Sequence, residues 1–89
     1  MSNKLKIQVE EFNGVRNQFK IITDDGVYFQ SYSSIIVFKS RKDNKIYLDK
    51  TYWNYSWTTS KHRNAFLCEE TKQTEAKIKS GEYILIELN

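Results

Sequence analysis

Residues 18–39 read QFKIITDDGVYFQSYSSIIVFK, and this stretch decides the fold. Phe19 and Ile21 share one face of an alternating run from Gln18 to Thr23, the period-2 pattern of a half-buried strand. Asp25-Gly26 follows, a dipeptide whose members tolerate the positive φ of a tight hairpin turn. A second alternating run, residues 27–32, sets Tyr28, Gln30 and Tyr32 opposite Val27 and Phe29. Ser31, Ser33 and Ser34 interrupt by bonding to local backbone. Ile35-Ile36-Val37-Phe38 is apolar at both parities, which predicts a central strand buried on both sides.

Working outward, Leu5, Ile7 and Val9 alternate with polar residues, and Asn13-Gly14 supplies another hairpin signal. These runs predict a three-strand meander. Ile46 and Leu48 resume the alternation beyond a charged turn at residues 41–45, so residues 35–49 form a further hairpin. At Thr58-Thr59-Ser60 the period changes. Three hydroxyl residues are N-cap candidates, predicting a short helix over residues 61–69 with Phe66 and Leu67 inward. Thr71 is the candidate cap of a second helix running to Lys79, with Ala76 and Ile78 inward, Glu75 and Lys79 as an i,i+4 pair, and Gly81 closing it in the left-handed region. Tyr83-Ile84-Leu85-Ile86 is too apolar for an edge, so it is expected to insert beside an earlier strand. The fold class is α+β: an antiparallel sheet of five to six strands with one or two short helices before the last strand, in a single domain over residues 1–89.

The 89 residues include 14 Lys+Arg and 11 Asp+Glu, a net charge of +3 that suits nucleic acid or an acidic protein surface and argues against a carboxylate-coated DNA mimic. One cysteine, Cys68, excludes an internal disulfide and fits a reducing compartment. No apolar run matches a signal peptide or a membrane span, so the expected location is the cytoplasm, without membrane contact. One Cys and one His cannot complete a zinc site. Six positions apart on a helix, they face differently, which disfavours a nucleophile–base dyad. The three scattered glycines form no phosphate cradle. The expectation is a non-enzymatic protein with no metal and no cofactor.

What remains is residues 50–67, KTYWNYSWTTSKHRNAFL, which hold both tryptophans and the one histidine. Tyr52, Trp53, Tyr55 and Trp57 can stack on bases while Lys61, His62 and Arg63 meet phosphates, and Thr59 begins a helix whose free N–H groups suit a phosphate. Large aromatics in a small domain equally serve as core, and in an extended segment Trp53, Tyr55 and Trp57 would share one face and cover the sheet. Trp, Tyr and Arg are also the residues of protein interfaces. Three partners therefore stand: nucleic acid, a host protein, or a second copy meeting the aromatic strip as a homo-oligomer.

The FQSY of residues 29–32, the W-x-Y-S-x-T-T-x-K of residues 53–61, the R-N-x-F-L of residues 63–67 and the terminal LN together resemble a domain of unknown function. That domain occurs in small proteins of bacteriophages, prophages and other mobile elements of Gram-positive bacteria. The likeness covers residues 28–89. The family's pattern has an aromatic residue where this chain has His62, so no family role passes to that position. The resemblance implies a phage accessory protein acting by binding: to nucleic acid or a nucleic-acid-handling complex, or alternatively as an inhibitor of a host or defence enzyme of the anti-CRISPR type.

Overall fold

The computed structural model describes residues 7–89. Its sheet has six strands in chain order: β1 (Gln8–Glu11), β2 (Gln18–Thr23), β3 (Gly26–Ser31), β4 (Ser34–Ser40), β5 (Ile46–Asp49) and β6 (Tyr83–Ile86). The first five pair antiparallel, while β6 pairs parallel to β5. The change of direction follows from the two helices between them, α1 (Trp57–Leu67) and α2 (Thr71–Ser80), which return the chain to the end where β5 began.

The turn chemistry follows the dipeptides in part: the β2–β3 turn is Asp24-Asp25, neither at positive φ, and Gly26 already pairs with Thr23 as the first residue of β3. Asn13 and Gly14 both take positive φ, 54° and 68°, within a 3-10 turn at Phe12–Gly14. The connection nonetheless spans residues 12–17, wider than a two-residue hairpin, because Asn17 is also left-handed and its carbonyl accepts from Tyr32 N at 2.7 Å. Gly26 lies at φ 151°, and a Cβ there would stand 2.1 Å from the Lys39 carbonyl oxygen, so β3 enters the sheet only with glycine at this point.

Register divides the sheet into two faces. Phe29, Val37 and Leu48 lie side by side and are fully buried under the helices, where Phe66 stacks on Phe29 with ring centroids 5.4 Å apart. Phe12 closes the cluster edge-on to both rings at 5.6 Å. A bulge pairs Phe29 with Val37 but Gln30 with Ile35, leaving Ile36 as the extra residue. Both Ile36 and Val37 are buried as a result, so the both-parity apolar run of β4 marks the bulge and not a strand covered on both sides: the helices cover one face, and Ile35 and Phe38 are only half-buried on the other.

Several expectations are corrected. β6 is an edge strand after all, with Leu85 39% and Ile86 36% exposed. Its apolar character serves Tyr83, which is buried beneath the helices, and Ile84 on the other face. β1 is the opposite edge, and Val9 remains 58% exposed rather than packed; Leu5 lies outside the described residues. The first helix begins at Trp57 and ends at Leu67, one turn earlier than expected, because Ser56 and not the 58–60 trio caps it. Glu70, not Thr71, caps α2 through a reciprocal box with Gln73. Ala76 faces solvent and Thr74 takes the buried position, while Gly81 closes the helix left-handed at φ 84° as predicted. Lys77 pairs with Glu69 at 2.6 Å.

Candidate functional site

The turn at the end of β5 is built by Asp49. Its Oδ2 accepts from Thr51 N at 3.0 Å and Tyr52 N at 2.8 Å, and its Oδ1 accepts from Leu88 N at 2.8 Å. Burial pushes this carboxyl up, but the N–H groups of Leu88, Tyr52 and Thr51 and the Asn89 side chain outweigh it, so it titrates below the usual carboxylate value. One side chain thereby ties residues 51–52 to the C-terminal tail.

Residues 50–56 consequently turn rather than extend, and the aromatic strip does not form a single face. Tyr52 and Trp53 bend back to pack on the core cluster. Tyr55 and Trp57 point outward, 69% and 77% exposed. Ser56 caps α1 by accepting from Thr59 N at 3.1 Å while its hydroxyl donates to Thr59 Oγ1 at 3.2 Å. Thr59 is therefore buried, and its hydroxyl also meets Ser31 Oγ of β3 at 3.5 Å.

Arg63 belongs to the scaffold. It is 0% exposed, and its guanidinium donates to Trp53 O at 2.5 Å, Asn54 Oδ1 at 3.1 Å, Ser60 Oγ at 3.5 Å, Asn64 Oδ1 at 2.7 Å and Thr71 Oγ1 at 2.8 Å. It also lies 5.2 Å from the Trp53 ring centre. Burial draws its pKa down, opposed by the charges of Glu69 and Glu75. The expected Lys61-His62-Arg63 cationic run thus loses its arginine to the interior. Lys61 is exposed, with its ammonium 5.4 Å from the Trp57 ring centre, one helical turn away. His62 is half-buried, and burial together with the charge of Lys61 lowers its pKa, so the cationic form is disfavoured there.

The structure adds a feature that the sequence reading missed. Between the head of α1 and the β3–β4 turn lies a groove of about 410 Å³, and every residue lining it except Ile36 carries a hydroxyl. Tyr52, Tyr55 and Thr58 form one wall, with Tyr32 and its flanking serines opposite. Tyr32 is left-handed at φ 55° and 57% exposed. Its place in the SYSS run was the available signal: a tyrosine among serines in a turn faces outward. Tyr32, Tyr55 and Trp57 are the exposed aromatics of the described residues, and Tyr32 and Tyr55 line the groove at whose edge α1 begins with Trp57. The arrangement offers π surfaces, hydroxyl donors and acceptors, and one nearby cation.

A family model described as a family of unknown function (DUF8033) matches residues 3–82. The chain belongs to that family. The match takes in the groove and both helices of this DUF8033 domain and stops just before β6. No curated protein and no solved structure matches the chain. Among the described residues, no helix is long and apolar enough to cross a membrane.

Proposed function

We propose that this DUF8033 domain is a non-enzymatic binding module whose contact surface is the groove and aromatic rim at the head of α1, and that its ligand is single-stranded nucleic acid or the exposed strand of a nucleic-acid-handling complex. The observation that carries the reading is the exposure of Tyr55 and Trp57 beside Lys61 at a hydroxyl-lined groove. Aromatic faces stack on bases irrespective of sequence, at about 1–3 kcal/mol per base. Serine and threonine hydroxyls contact phosphate and sugar. The net charge of +3 favours approach to a polyanion. Phage or mobile-element origin, with action in the cytoplasm of a bacterial host, is the setting that the sequence resemblance supports.

A second reading is favoured by the burial of Arg63. With Lys61 the exposed cation of its run, the surface is more aromatic than basic, as at a protein interface. The rim would then dock on a host or defence enzyme as an inhibitor of the anti-CRISPR type. Salt separates the two. Fluorescence anisotropy with a labelled oligothymidine should show binding that weakens as salt rises, with a shallow log–log slope of about −1 to −2 because few phosphates are neutralised. Trp57→Ala and Lys61→Ala should each weaken it. Failure to bind at low salt would reject nucleic acid and leave the protein-inhibitor reading.

A further inference from the structure

The sheet face turned away from the helices carries an apolar row that crosses every strand. Register places Val9, Ile21, Tyr28, Phe38, Tyr47 and Ile84 in line, one from each strand. Tyr28 stacks on Phe38 with centroids 4.4 Å apart and planes 15° apart, and Phe38 on Tyr47 at 6.0 Å and 23°. Phe19, Ile35 and Ile86 fall on the same face by register. Both helices and the Phe12 turn pack on the other side. Among the described residues the C-terminal tail reaches this face at its end, where Leu88 bonds to Asp49 and Asn89 to the Ile35 backbone, and Asp43 of the β4–β5 turn accepts from the Tyr47 hydroxyl.

We infer that this face is a homodimer interface, closed by a second copy of the chain stacked sheet against sheet. Three observations choose that occupant. First, the paired positions of the face hold no lysine or arginine, whereas the helix-covered side holds Lys20 and Lys39; a polyanion would find no counter-charge. Secondly, the rings of Tyr28, Phe38 and Tyr47 stack on one another, so their facing π surfaces are already engaged and not free to take a base. Thirdly, the area suffices. Six strands spaced about 4.8 Å apart, with lengths of about 3.3 Å per residue, give a face of roughly 500 Å² per copy and about 1,000 Å² for the pair, near the lower bound of specific interfaces. The exposed carboxylate of the face, Glu11, lies on the edge strand β1, away from the central aromatic rings, and aligned sheets pack about 10 Å apart.

Sedimentation velocity over a range of concentrations tests this. The wild-type mass should rise from 10.6 kDa toward twice that value. Ile21→Lys, which places a charge in the row, should weaken the dimer about tenfold or more. Val9→Lys, at a 58% exposed edge position that carries little folding risk, should act in the same direction, with circular dichroism confirming the fold. Trp57→Ala should leave association unchanged. A protein that stays at 10.6 kDa throughout, a dimer indifferent to lysine at both positions, or one dissolved by Trp57→Ala would each overturn the inference. None of these outcomes bears on oligonucleotide binding, which is read separately at Trp57.

Discussion

Arg63 bonds to five neutral oxygens drawn from the 53–54 turn, from α1 itself and from the start of α2. Removing it strands those acceptors and empties a large buried volume, so Arg63→Ala should cost about 2–4 kcal/mol in urea unfolding. Arg63→Lys should recover little, because an ammonium cannot reproduce the planar fork. If Arg63 were a phosphate contact instead, both variants would unfold like wild type and lose only ligand affinity. The residue types of the 52–63 stretch were legible in the sequence, but their fates were not. Ser56, one position ahead of the helix, decides that Trp57 points to solvent and that Thr59 is buried. Periodicity alone does not reveal which hydroxyl of a cluster will cap. An arginine in a row of cations likewise gives no local sign that three separate segments will converge on it.

At the scale of elements, the meander was readable because each turn carries its own chemistry. Asn13-Gly14 and Gly26 occupy the positive-φ positions their residue types imply. Gly26→Ala should be among the most damaging single-methyl additions in the sheet, costing about 3 kcal/mol or more, since the Lys39 carbonyl cannot retreat without breaking the β3–β4 ladder. Thermal unfolding checks it, and an unchanged midpoint would contradict the packing described. The helix ends are held from outside. Lys39 of β4 donates to Phe66 O at 3.2 Å, supplying a cation at the C-terminus of α1. Glu69 then joins the helices to β6, accepting from Lys77 at 2.6 Å, Thr74 at 2.5 Å and the Tyr83 hydroxyl at 2.9 Å. The edge position of β6 was misread because its apolar residues suggested a central strand. Half of that character is spent on Tyr83 beneath the helices, and the rest lies on the open face and rim.

For the whole molecule, pH reads the two carboxylates and the tyrosine that fasten the C-terminal strand and tail. Burial raises the pKa of Glu69, but its bonds from Lys77, Thr74 and Tyr83 bring it below the usual value, as the N–H groups do for Asp49. Their contribution is present above the ordinary carboxylate range and is lost as pH falls below about 4 through the depressed values. Tyr83 works in the opposite sense. Burial, then its bond to Glu69, pushes it up to about 12, so its contribution is complete below pH 10 and fades between there and about 12. Urea midpoints measured across pH should fall at both ends, and Tyr83→Phe should remove the alkaline decline attributable to this group.

The rim at the head of α1 is tested most directly in a Trp53→Phe protein, where Trp57, 77% exposed, is the sole indole. Titrated with a single-stranded oligonucleotide at low salt, its emission should begin red-shifted and be quenched to saturation, with the quenching reversed by added salt. Emission that does not change while the oligonucleotide binds elsewhere, or no binding at all, would contradict the account.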